Sequence, residues 1–174
     1  IQSDGYYVYS MIYGHGTIGS GNVSVTLSNN YGLGIFKISM VSGDVAWGAA
    51  VTATYSVQRT LPTGGTESHS SRVEGFSLGL DNSNNRLTVH GYIESHADFS
   101  STTSSSTTNV EFPLYSDLRR NFVASLDTNG TWGWVTSTTY PAHQNMTYWA
   151  NGNIWNERGL NMPINSQTGE SYVL

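Results

Sequence analysis

A chain of 174 residues suits one domain with a buried core. Only 11% of its residues are charged and 12% are aromatic, while Ser, Thr, Asn and Gly together make up roughly 40–45%. A formal charge of only −5 with 37% hydrophobic residues excludes a disordered chain. Lys37 is the only lysine and, Arg119-Arg120 apart, the arginines are scattered; with a pI near 5.4 and no basic stripe, nucleic acid and anionic membranes are not expected partners. Without cysteine there are no disulfides or thiolate metal sites. No apolar run approaches the ~18 residues of a spanning helix, so no membrane insertion is expected, and no signal peptide is visible. The start at Ile1-Gln2-Ser3 reads as a processed protein or an excised fragment.

Apolar and polar residues alternate with period two over the first two-thirds, which is the pattern of half-buried strands. Tyr7, Tyr9, Met11 and Tyr13 share a face; Val23, Val25 and Leu27 alternate with Ser24 and Thr26; Phe36, Ile38 and Met40 alternate with Lys37 and Ser39. Val51–Gln58 alternates strictly. Phe76, Leu78 and Leu80 follow, then Leu87, Val89 and Ile93 opposite Thr88, His90, Tyr92 and Glu94, then Val110, Phe112 and Leu114. Turn chemistry separates these segments at Asn29–Gly32, Ser42–Asp44, Pro62–Gly65 and Asp81–Asn85. Residues 100–109, SSTTSSSTTN, read as a loop or an outward-facing edge strand. Beyond Pro113 the alternation degrades. Asn121–Leu126 and Thr131–Ser137 are still strand candidates, Asp117–Arg120 could form one helical turn, and 138–174 is loop-like. The expected fold is all-β: an antiparallel β-sandwich or barrel-like meander of about eight strands, with a core at 1–115 and a long irregular, aromatic-rich C-terminal segment at 116–174 of the same domain.

Several motifs match by letters only. Gly14–Gly19 fits G-x-G-x-x-G, but the dinucleotide site needs a helix to follow, and Ser20-Gly21-Asn22 leads into another strand. Gly75–Gly79 fits G-x-S-x-G, yet Ser77 sits mid-strand rather than on an exposed elbow. The sequons at Asn22, Asn129 and Asn145 are what an Asn/Ser/Thr-rich chain produces by chance. His90, Tyr92, Glu94 and His96, with Asp98 beyond, would line one strand face, which could bind a metal on a symmetry axis but reads by default as a solvated or subunit-facing polar strip. The histidines lack ligand spacing, so neither metal nor cofactor is expected. Glycoside hydrolysis needs two carboxylates roughly 5–9.5 Å apart. Asp127 and Glu157 flank the aromatic segment and Glu94 and Glu111 lie on strands, but no spacing joins a pair. The chain reads as a non-enzyme.

The strongest signal is Asp127–Arg158, which holds four of the five tryptophans among Asn, Gly, Thr, Tyr and His, with few aliphatic residues. Sugars offer C–H faces to aromatic rings and hydroxyls to amides and carboxylates. Trp132, Trp134, Tyr140, Tyr148, Trp149 and Trp155 suit the first role, and Asp127, Asn129, His143, Asn145, Asn151 and Asn153 the second. Trp132 and Trp134 are two apart, so on a regular strand they share a face. A ligand platform, a subunit interface and intramolecular core are all open for these rings; Trp47, beside a clean strand, is assigned to the core.

In the succession YYVYSMIYGHG, NVSVTLSNNYGLGIFKISMV, WGAAVTATYSVQ, FSLGLDNSNNRLTVHGYIE and NVEFPLY, the first 115 residues resemble the distal receptor-binding heads of bacteriophage tail fibres and tailspikes. The resemblance implies a trimerising β-sandwich or barrel on a virion, outside the cell, that attaches to host cell-surface glycan. Three other roles stand beside it: a structural assembly domain of a fibre, a fimbrial-type adhesin lectin domain (which commonly carries a disulfide), and a fragment of a polysaccharide-degrading tailspike. Low charge, long alternating strands and no Cys also call for edge protection by closed symmetry, hence a homo-oligomer, expected as a trimer.

Overall fold

A computed structural model of the chain describes residues 1–54, 56–60, 63–70, 72–93, 96–110 and 120–137. Among these the chain is built of strands and turns: β1 (Gln2–Ser3), β2 (Tyr7–Ser20), β3 (Val23–Ser39), β4 (Val45–Ala53), β5 (Ser56–Thr60), β6 (Thr66–Ser70), β7 (Val73–Asp81), β8 (Arg86–Ile93), β9 (Ala97–Ser101), β10 (Ser104–Val110), β11 (Arg120–Asp127) and β12 (Trp132–Ser137). One antiparallel sheet runs β1-β2-β3-β4-β9-β10 and a second runs β12-β11-β8-β7, with β5-β6 as a separate hairpin. The two larger sheets enclose the main core. Tyr9, Leu33, Ile35, Trp47, Ala49, Val51, Ala97 and Phe99 come from the first; Val73, Leu78, Leu87, Val89, Ile93, Phe122, Ala124 and Leu126 come from the second. The all-β sandwich and the core placement of Trp47 follow the sequence pattern. Asn121–Leu126 and Thr131–Ser137 fall in β11 and β12, and the Ser/Thr run supplies β10 at the sheet edge. Val51–Gln58 is not one strand, because β4 ends at Ala53 and β5 opens at Ser56.

The β2–β3 hairpin departs most from expectation. Asn29–Gly32 does not reverse the chain; the reversal is at Gly21-Asn22, and Gly14–Gly19 lies within β2 with no helix after it. Pairing jumps from Gly14↔Gly32 to Gly16↔Leu27, so one residue of β2 faces four of β3. This bulge is a corner. Gly16 has φ 83° and Tyr31 φ 73°, a backbone conformation that is unstrained for glycine and costs a tyrosine about 1 kcal/mol or more. Beyond the corner the distal arm folds back over the outer face of its own sheet. Val25 and Leu27 there bury a second cluster with Phe36 and Ala50. The approach is close: a methyl group at Gly48 would lie 2.9 Å from a Val25 methyl. β3 is thus buried on both faces, and Lys37, not Phe36, occupies its main-core side. The Lys37 ammonium sits 4.1 Å above the Tyr7 ring, and Nζ donates to the Thr128 carbonyl at 2.9 Å.

β8 is also buried on both faces. Thr88, His90 and Tyr92, on the side away from the main core, are as enclosed as Leu87, Val89 and Ile93. For His90 and Tyr92 this corrects the solvated or subunit-facing strip read from the sequence. Asp98 lies on β9 in the other sheet, and Glu94 lies outside the described residues. His90 is fully buried, edge-on to Phe76 at 5.5 Å, and neither ring nitrogen has a hydrogen-bond partner among the described residues. Ser77 pairs with His90 across β7–β8, beside a bulge that takes in Phe76, and its Oγ is likewise buried and unpartnered. No hydrogen bond joins the two side chains.

Candidate functional site

Of the sequence-derived candidates, Asp127, Asn129, Trp132 and Trp134 meet at the β11–β12 turn. Tyr140, Tyr148, Trp149 and Trp155, with His143, Asn145, Asn151 and Asn153, lie outside the described residues, as do Glu111, Phe112 and Leu114. The turn is an Asp-initiated loop of the kind Asp-Thr-Asn-Gly favours. Asp127 Oδ1 accepts the backbone N–H groups of Asn129 at 2.9 Å and Thr131 at 2.8 Å. Gly130 follows with φ 90°. The six-stranded sheet holds the same loop from the other side. The Thr128 carbonyl accepts both Lys37 Nζ and Trp47 Nε1 (3.0 Å), and Thr103 Oγ1 donates to the Gly130 carbonyl at 3.1 Å. Gly130 rests on the Trp47 ring, where a Cβ would come within 2.9 Å. Asn129 stands at the exposed tip.

Asp127 therefore acts first on its own backbone. Asp127→Ala leaves two N–H groups without their acceptor and is expected to lower unfolding free energy by about 1–2 kcal/mol. Asn129→Ala should stay within about ±0.5 kcal/mol. Urea denaturation of the two variants beside the wild type checks both values.

The two tryptophans do not share a face, contrary to the period-two expectation. Ala124 pairs with Val135 but Leu126 pairs with Trp132, so β12 carries one extra residue between them. The bulge reverses the alternation. Trp132 turns inward, half-buried, edge-on to Phe99 at 5.0 Å and 89°, with Nε1 donating to the Ser100 carbonyl at 2.8 Å. Trp134 turns outward and is 47% exposed. Trp132 locks the sheets together, and Trp134 presents a ring to solvent on the edge strand beside the anchored loop.

A second aromatic group, not singled out from the sequence, lies at the β2–β3 corner. Tyr13 and Tyr31 stack at 5.2 Å and 13°, and His15 meets Tyr31 edge-on at 5.3 Å and 90°. Tyr13 Oη reaches across to the second sheet, 3.4 Å from Glu74 Oε1. Burial, together with the Glu74 charge, pushes the Tyr13 phenol up to about 12, so it remains a donor at neutral pH. The sequence places Tyr13 on the face of Tyr9 and Met11, and the structure agrees. Its meeting with Tyr31 and Glu74 depends on the corner and on sheet packing, which no local pattern encodes.

Among the described residues no group of three or more His, Asp or Glu is placed to hold a metal ion, and no helix is long and apolar enough to cross a membrane. Comparison with protein-family models, curated proteins and solved structures finds no match to this chain.

Proposed function

We propose that this domain is a receptor-binding head of a phage or viral fibre or spike, acting outside the cell by attaching to host cell-surface carbohydrate without chemistry. The observation that carries the reading is the Trp134 ring, exposed on an edge strand beside a turn fixed from both sheets. Rigid elements with an exposed ring suit stacking on a sugar face, because little ordering cost remains on binding. Asn129, at the tip of the same turn, offers amide donor and acceptor groups to hydroxyls. The test is a glycan array and a cell-adsorption assay on Trp134→Ala beside the wild type. Loss of a stacking ring is expected to weaken binding by about 1–3 kcal/mol, by analogy with base stacking on aromatic side chains. Wild-type protein that binds neither glycans nor cells, or a variant that adsorbs like it, overturns the reading.

The same reading takes the head as a homotrimer. Its support is the exposed apolar tip where Met40 N–H bonds to the Tyr6 carbonyl: Tyr6 is 76% exposed, Met40 56% and Val41 93%. Clustered apolar groups of this kind favour a subunit contact. They also favour the second reading, a fibre assembly domain. Light scattering after size exclusion should show three chains per particle, and a monodisperse monomer at micromolar concentration sinks both the trimer and the assembly role.

A further inference from the structure

We propose that Tyr13, Tyr31, His15 and Glu74 form a second ligand site at the β2–β3 corner, one that takes a neutral sugar ring and is separate from the β11–β12 turn. The inference rests on the carbohydrate-attachment reading and adds a site and a ligand class to it.

The corner needs a residue that accepts positive φ, and glycine or asparagine meets that need with less strain than tyrosine. The core does not need the ring either, since Tyr31 remains 40% exposed and Tyr13 41%. Strain at a bulky residue that neither the turn nor the core requires points to a surface role. The two rings lie nearly parallel, with His15 standing edge-on, so the group is a braced platform of aromatic surface. Glu74 adds a carboxylate beside it, able to accept hydroxyl protons.

Charge selects the ligand class. Lys37, the only lysine, is engaged at Thr128 near the other turn. The charged group that touches the aromatic pair is the Glu74 carboxylate, 3.4 Å from the Tyr13 hydroxyl. A uronate or sialate would meet a carboxylate here. A neutral hexose or N-acetylhexosamine meets rings for its C–H face and an acceptor for its hydroxyls.

The experiment is an NMR titration of isotope-labelled full chain with methyl glycosides of mannose, galactose and N-acetylglucosamine, and with sialyllactose as the charged comparator. Tyr13 and Tyr31 ring signals should shift with at least one neutral glycoside and respond at least tenfold more weakly to sialyllactose. Tyr31→Ala should abolish the response, Glu74→Gln should weaken it severalfold, and Trp134→Ala should leave it unchanged. If Tyr31→Ala does not fold, Tyr31→Gly removes the ring while suiting the backbone. Silent Tyr13 and Tyr31 rings, an equal response to sialyllactose, or wild-type affinity without the Tyr31 ring overturns the proposal. Glycan-array binding alongside silent Tyr13 and Tyr31 rings removes this site and leaves the attachment reading standing. Ring shifts from free glycosides in a protein that adsorbs to no cell or array remove the attachment reading and keep the site.

Discussion

Trp132→Ala is expected to lower the melting temperature by roughly 6–12 °C, with Trp134→Ala within a degree or two of the wild type. The difference follows from the β12 bulge, which turns Trp132 inward and Trp134 outward. Removing the Trp132 ring opens a void against Phe99 and takes a hydrogen bond from the Ser100 carbonyl. For a half-buried tryptophan that is about 3 kcal/mol, the lower end of the range for deleting a core aromatic ring. In a chain of this size each kcal/mol shifts the midpoint by roughly 2–4 °C. Surface changes away from packing stay within about ±0.5 kcal/mol. A thermal melt of both variants decides it. Equal losses for the two would mean that the bulge does not separate their faces.

Mild acid should destabilise the domain through His90. Burial holds its imidazole below the usual value of 6.5, so below that pH the unfolded chain takes up a proton that the folded chain refuses. Stability is then lost as pH falls through 6.5, with a slope approaching about 1.4 kcal/mol per pH unit until the folded-state pKa is reached. Above 6.5 the group contributes nothing to the pH dependence. The carboxylates act later. Asn84 donates to Asp81 and, with the Ser83 and Asn84 backbone N–H groups, holds its pKa below 3.8. For Asp4, burial works upward but is outweighed by the Tyr6 and Tyr7 N–H groups, the Tyr9 hydroxyl and Lys37, which leave its pKa lowered too. Their stabilisation is present above 3.8 and is lost only as pH falls below it. Among the described residues, the window between about 4 and 6.5 therefore isolates His90. Urea midpoints across it should fall for the wild type and stay flatter for His90→Leu. Parallel curves would show that His90 does not carry the acid response.

Much of the fold was legible because strand alternation is a local signal. Tyr7 through Tyr13, Val23 through Leu27 and Leu87 through Ile93 each declared a strand, and Asp81–Asn85 declared its turn. What escaped was set by irregularities and by sheet-to-sheet packing. The extra residue in β12 turned Trp132 and Trp134 apart, and its one local mark in WGWVTS is Gly133, which lies at the bulge. Asn29–Gly32 has turn composition but serves a corner within a strand, so Tyr31 was read as punctuation. His90 was read as facing solvent or a neighbouring subunit because its neighbours alternate correctly. Alternation says which residues share a face, but it does not say whether that face is covered. Asp127 and Asn129 were singled out as polar partners for the tryptophans, but their meeting on one turn, and Asp127's engagement with its own backbone, depend on loop geometry.

The β11–β12 loop is secured almost wholly through main-chain atoms: the Thr128 carbonyl and amide, the Gly130 carbonyl and amide, and the Thr131 carbonyl. The Asn129 side chain has no part in those bonds, nor has the outward ring of Trp134. Shape and surface chemistry are therefore separately heritable at this corner. Mutations at 129 and 134 can rewrite the surface of the tip while Asp127, Gly130, Lys37 and Trp47 keep its backbone in place, so under the attachment reading proposed above a change of target here would cost little folding.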